Sequence, residues 1–142
     1  MSIWFKEYEI EEWEQMLVPT IHSTLGIKIT KIGPDFIEGT MPVDSRTHQP
    51  FGVLHGGASV VLAESLGSMA ANMLVDPEAF YCVGQNIYSN HLRPVSSGLV
   101  TGKATAIHIG KKTQLWEIEI RDESSNIVNT SRLSMAVLPK RK

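Results

Sequence analysis

Residues 57–75, GASVVLAESLGSMAANMLV, are apolar or small at nearly every position and carry a single charge, Glu64. As a helix the run is about 28 Å long, and a helix without a polar face must be covered on almost every side. A membrane would cover it, and the run reaches the roughly 18-residue threshold for a span. Two features exclude that reading. Alanine, serine and glycine leave the run only weakly apolar, and a mid-helix carboxylate costs ~2.5–3.5 kcal/mol even on permissive insertion scales. The cover is therefore protein. A chain of 142 residues has room for one compact domain around one core, which places this helix at its centre.

The remainder repeats with a period of two. Ile27 and Ile29 alternate with Lys28 and Thr30, Gly33-Pro34-Asp35 supplies turn chemistry, and Ile37 and Met41 resume on the other arm of a hairpin. Beyond a turn at Asp76 and Pro77, Trp116, Ile118 and Ile120 interleave with charged residues, as Leu133, Met135 and Val137 do with Arg132, Ser134 and Ala136. Breaks at 94–98, 110–112 and 122–126 leave four runs of about ten residues, joined by connections short enough for antiparallel neighbours. Residues 44–56 lack periodicity and read as an ordered loop. Residues 2–17 read as an amphipathic helix capped by Ser2, within an N-terminal helical segment (1–24) that clasps the domain through Ile3, Trp4, Ile10, Trp13 and Leu17. The expected class is α+β, one domain over 1–142, with a curled antiparallel sheet wrapped around the long helix. A single sheet leaves one flank of the helix open, so a homodimer is expected.

Composition narrows the partners. A net charge of −2 gives no basic surface for nucleic acid, and no membrane partner is expected. Cys82 is the lone cysteine, so there is no intrachain disulfide. The first residues, with five glutamates around Lys6, do not resemble a secretory leader, and a cytoplasmic protein is expected. The histidines at 22, 48, 55, 91 and 108 have no metal-ligand spacing, and no metal site is expected. A Gly-x-Ser-x-Gly elbow is missing, which excludes an α/β-hydrolase.

Chemistry concentrates on the helix. Positions sharing the face of Glu64 are Gly57, Val60, Val61, Gly67, Ser68 and Ala71, which resembles the wall of a pocket. A carboxylate there loses hydration that must be replaced; a structural ion pair with Arg46 or Arg93 is the competing reading. Just before the helix, His55-Gly56-Gly57 brings backbone N–H groups to its positive end, where they can polarise a carbonyl oxygen. Gly56 and Glu64 are eight residues apart, about 12 Å along a helix, too far to reach one carbon. A site that uses both needs two chains, with the helices antiparallel across a dimer.

The run from Met41 to Ser68, MPVDSRTHQPFGVLHGGASVVLAESLGS, resembles the hotdog-fold acyl-CoA thioesterases. It is most similar to the bacterial branch that includes 1,4-dihydroxy-2-naphthoyl-CoA thioesterase and the enterobactin-pathway proofreading thioesterase. The likeness continues through Asn90-His-Leu-Arg-Pro94, His108-Ile-Gly110, Gln114-Leu-Trp-Glu-Ile118 and Ser131-Arg-Leu133. It implies hydrolysis of an aromatic acyl-CoA, with 1,4-dihydroxy-2-naphthoyl as the most specific acyl group and menaquinone biosynthesis as the setting. Glu64 would be nucleophile or general base, and the sequence leaves both open. Gly56 would polarise the thioester carbonyl, Gln49 and His55 would orient the loop and reacting groups, and Ser68 would position water or the leaving thiolate. The resemblance also implies a two-subunit site, a dimer of dimers, and no cofactor beyond the coenzyme A of the substrate. Coenzyme A would lie near Asn90, His91 and Arg93 and the turn His108, Gly110, Lys111 and Lys112; solvated charge is the other reading of the two lysines. Two rivals carry different roles. A dehydratase or hydratase of this fold would have prolines where the chain has Gly56-Gly57-Ala58, and a non-catalytic acyl-CoA-binding protein would have no need of Glu64.

Overall fold

The structure is a computed structural model that describes all residues, 1–142. The central run forms α3 (Gly56–Met73), preceded by α1 (Ile10–Met16) and α2 (Ile21–Leu25). Six strands surround it: β1 (Lys28–Ile32), β2 (Phe36–Pro42), β3 (Phe80–His91), β4 (Leu99–Ile109), β5 (Thr113–Arg121) and β6 (Ile127–Pro139). They form one antiparallel sheet in the order β1-β2-β4-β5-β6-β3. The sheet curls over α3, which touches β2, β3, β4, β5 and β6. Leu62, Leu66 and Met73 of the helix are fully buried against Ile37, Met41, Trp116, Ile118, Ile120, Leu133 and Met135 of the strands. No helix is long and apolar enough to cross a membrane.

The helix seats closely because two strands present no side chain beneath it. Gly39 and Gly102 are directly paired across β2 and β4. A Cβ on either would stand 2.8 or 2.7 Å from a methyl of Leu66, so Leu66 occupies the space the two missing side chains leave. Further along, Asn72 ties the helix to β3: its Nδ2–H donates to the Cys82 carbonyl at 3.1 Å and its Oδ1 accepts from the Cys82 N–H at 2.8 Å. These two bonds fix the height of β3 against α3.

Two sequence expectations are corrected. The N-terminal helix does not span 2–17: residues 1–9 are irregular, and helix begins only at Ile10. The Ser2 hydroxyl accepts from the Trp4 N–H within a local turn and caps no helix. Tertiary bonds outcompete helical ones here. The Ile3 and Phe5 N–H groups donate to Pro34 and Met73 carbonyls, the Trp4 indole donates to the Gly33 carbonyl at 2.7 Å, and Trp4 stacks on Trp116. The clasp exists, but an irregular segment makes it. The second correction concerns β3, which does not pair with β4, its successor in sequence. It crosses to the far edge and pairs with β6, because packing on α3 places it there.

Candidate active site

The loop before α3 ends at His55, whose Nδ1 accepts the Gly57 N–H at 2.7 Å. The Ala58 and Ser59 N–H groups donate to the His55 carbonyl. Three of the first four helix donors are thus satisfied, and the Gly56 N–H alone has no acceptor in the chain. An unpaired donor at the positive end of an 18-residue helix is suited to stabilise developing negative charge on an oxygen. Because His55 Nδ1 accepts, the neutral ring holds its proton on Nε2.

Gly56 opens onto a cavity of about 330 Å³ lined by Gln49, Ser59, His91 and Arg93. Gln49 Oε1 accepts the Phe51 N–H, which holds the loop in a tight turn. His91 lies against Gly56, with Nε2 only 2.7 Å from where a Cβ on Gly56 would stand. A buried polar chain behind the ring sets its orientation. The Ser131 hydroxyl donates to Asn129 Oδ1 at 2.7 Å, and Asn129 Nδ2 donates to Ser89 Oγ at 2.8 Å and to His91 Nδ1 at 3.1 Å. Asn129 is wholly buried, and every polar atom it carries has a partner, as a buried amide requires. His91 therefore directs an Nε2–H toward Gly56.

Glu64 is half-buried two turns along α3 and forms no ion pair or hydrogen bond in the chain. Arg46 pairs with Asp44 instead, and Arg93 forms no salt bridge. The ion-pair reading of Glu64 thus finds no partner. Its Oε1 lies 2.6 Å from the point a Cβ on Gly84 would occupy. Gly84 adjoins a bulge in the β3–β6 ladder, so the carboxylate rests on bare β3 backbone. Ser68 follows one turn later, with Oγ 3.8 Å from Met135 Sδ. It lines a cavity of about 500 Å³ between α3 and the N-terminal helices.

The other nominated residues separate. Asn90 is exposed and lines a separate cavity of about 380 Å³ with Tyr88, Glu117 and Arg132, since neighbours on a strand face opposite ways. Lys111 and Lys112 occupy the β4–β5 turn with Gly110 and line a groove with Gln85 and Leu138. His108 reaches back to the same turn, its Nε2 2.8 Å from the Cβ position of Gly110. Within one chain the nominated residues therefore occupy distinct places: Gln49, Gly56, His91 and Arg93 at the helix start, Glu64 and Ser68 midway along it, and the lysine turn beyond. Sequence reasoning missed Asn72, Gly84 and the Ser89, Asn129 and Ser131 chain. Only Asn72 left a signal, as a polar residue within an apolar helix.

Comparison with known proteins places the fold in a family. Residues 51–128 match the family model described as Thioesterase superfamily. The chain is 48% identical over 136 residues to the proofreading thioesterase EntH of Cronobacter turicensis, covering 96% of this chain and 98% of that protein. It is 45% identical over 136 residues to 1,4-dihydroxy-2-naphthoyl-CoA hydrolase of Escherichia coli, covering 96% and 99%. The solved structure of a thioesterase from Haemophilus influenzae superposes with a TM-score of 0.94 at 47% identity, covering 96% of this chain and 95% of that one. With the long helix, the curled sheet and these matches together, the chain belongs to the hotdog-fold thioesterase superfamily and is a thioester hydrolase.

Proposed function

We propose that the chain hydrolyses aromatic acyl-CoA thioesters, with 1,4-dihydroxy-2-naphthoyl-CoA the most specific candidate, in sites shared between two subunits. The observation that carries this reading is the separation of two unpaired groups on one helix. The Gly56 N–H and the Glu64 carboxylate lack partners in the chain and stand about 12 Å apart along α3. A second copy with α3 antiparallel brings the partner's Glu64 toward Gly56. The free edge of β3 supports such pairing: it is 12 residues long, carries exposed Val83 and Tyr88, and has no neighbour beyond it. The names of the Cronobacter and Escherichia relatives support the thioester and aromatic-acyl parts of the reading.

In this mechanism the thioester oxygen accepts the Gly56 N–H, and Gln49 and His55 hold that loop. As general base, the partner's Glu64 takes a proton from water as the water oxygen bonds to the carbonyl carbon. The oxyanion rests on the Gly56 N–H, the C–S bond breaks, and the coenzyme A thiolate takes up the proton. As nucleophile, the carboxylate bonds to the carbon itself and expels the thiolate, and water then cleaves the anhydride. Arg93, Lys111 and Lys112 supply cations for the nucleotide phosphates. No cofactor beyond the coenzyme A of the substrate takes part.

Release of free thiol from a panel of aromatic and aliphatic acyl-CoAs tests the proposal, with wild type and Glu64→Ala compared at matched fold and oligomeric state. The expected result is aromatic turnover that falls by at least about a thousandfold in the variant. A fully active Glu64→Ala overturns the assignment of the carboxylate. Acyl-CoA binding without thiol release by wild type replaces hydrolysis with binding.

A further inference from the structure

The cavity beside Ser68 contains a polar group with no role in the mechanism above. Trp13, Leu17, Met69 and Phe80 contribute apolar surface, Tyr8, Glu12 and Asn72 contribute polar groups, and His22 is the imidazole in its wall. Thr20 fixes the tautomer of that ring. The Thr20 hydroxyl hydrogen is committed to the Leu17 carbonyl, an oxygen that only accepts. The same hydroxyl oxygen lies 2.9 Å from His22 Nδ1, so Nδ1 carries the hydrogen and donates. Nε2 is left as a lone-pair acceptor with no partner in the chain. Burial holds the His22 pKa below its ordinary value of 6.5, which keeps the ring neutral and Nε2 an acceptor at pH 7.

His22 Nε2 is an acceptor in the cavity wall with no partner in the chain, and a site built to bond a hydroxyl discriminates against the analogue that lacks it. The cavity adjoins the reacting groups: Ser68, in its wall, lies one turn from Glu64 on α3. We propose that His22 is a specificity-determining residue whose Nε2 accepts a hydrogen bond from a hydroxyl on the acyl group, so that the enzyme prefers hydroxylated aromatic acyl groups to unsubstituted ones. This rests on the thioesterase reading given above.

The test compares kcat/KM for 2-, 3- and 4-hydroxybenzoyl-CoA with that for benzoyl-CoA, in wild type, His22→Leu and His22→Gln. Circular dichroism and size-exclusion chromatography confirm that each variant is folded. At least one hydroxylated isomer is expected to be preferred by wild type. In His22→Leu that ratio falls by roughly tenfold, the effect of one hydrogen bond, and in His22→Gln, which keeps an acceptor oxygen, part of it returns. A wild-type readout independent of folding is the imidazole ¹⁵N spectrum. It is expected to show an Nδ1–H tautomer whose Nε2 resonance shifts with 4-hydroxyphenacyl-CoA, or its 2- or 3-hydroxy isomer, more than with phenacyl-CoA. Equal turnover of all four thioesters by wild type, an unchanged ratio in folded His22→Leu, or an Nε2–H tautomer overturns the inference and leaves the thioesterase reading intact. No turnover of any acyl-CoA removes both.

Discussion

Glu64 Oε1 lies 2.6 Å from the point where a Cβ on Gly84 would stand, so the position of the candidate catalytic carboxylate depends on a side chain that strand β3 does not have. Gly84→Ala is expected to displace the carboxylate rather than the strand, because Asn72 and the β6 ladder hold β3 in place. A displacement of about 1 Å at a reacting group costs up to about a hundredfold in rate. Steady-state assays should therefore show kcat reduced by about 10- to 100-fold, with a melting temperature close to wild type. An unchanged kcat would mean that the carboxylate is free to take another position.

One substitution at two tryptophans should give opposite results. The Trp4 indole N–H bonds to the Gly33 carbonyl and the ring stacks on Trp116, whereas the Trp13 indole N–H is buried with no acceptor. Trp4→Phe breaks a satisfied bond and strands a carbonyl, at a cost of about 1–2 kcal/mol. Trp13→Phe removes an unpaired donor that itself costs about 1–3 kcal/mol, so its stability should match or exceed that of wild type. Urea unfolding of the two variants measures both.

Asp44 gives a pH dependence of known sign. The Arg46 guanidinium beside it, aided by the Arg46 backbone N–H, holds its carboxyl down to about 2 from an ordinary 3.8. A carboxylate whose folded pKa is depressed contributes stability above its unfolded pKa and loses that contribution as the pH falls through the folded one. The contribution is therefore present at pH 4 and above and disappears between 3.8 and about 2. In Arg46→Ala the side-chain bonds are gone while the backbone N–H remains. An NMR titration should find the Asp44 midpoint raised part of the way back to 3.8.

Cys82 should be inert while the chain is folded. Burial pushes its thiol up to about 11, so at pH 8 the thiolate is about a thousandth of the total. Reaction with a disulfide reagent such as DTNB should be slow in buffer and rapid in guanidinium chloride. Rapid labelling of the native protein would show that β3 opens readily beside Asn72.

The helix and the hairpin were legible because hydrophobic periodicity reports which face of a segment is buried. Glu64 stood out as one charge in an apolar run, and Gly56 as a small residue at a helix start. Periodicity does not say which strand lies beside which: short connections alone predict β3 next to β4, and it lies next to β6. The apolar spacing of the N-terminal segment predicts a helix. Trp4 instead docks on Trp116, a residue 112 positions away whose pull no local pattern records. Gly84 and the contact of His91 with Gly56 were invisible for a related reason: an absent side chain becomes informative only when the group that fills its space is known.

The placement of β3 also sets an order of events during synthesis. Residues 80–91 emerge from the ribosome long before Ile127–Pro139, the only strand with which they pair. Until that last strand is made, Tyr81, Val83 and Tyr88 belong to a segment with neither ladder edge occupied, and such segments are where nascent chains associate wrongly. Loss of the final strand by premature termination would therefore release two neighbours at once, β5 and β3, and strip the bed from beneath Glu64. Of the six strands, the last to be translated is the one that secures the strand on which the carboxylate rests.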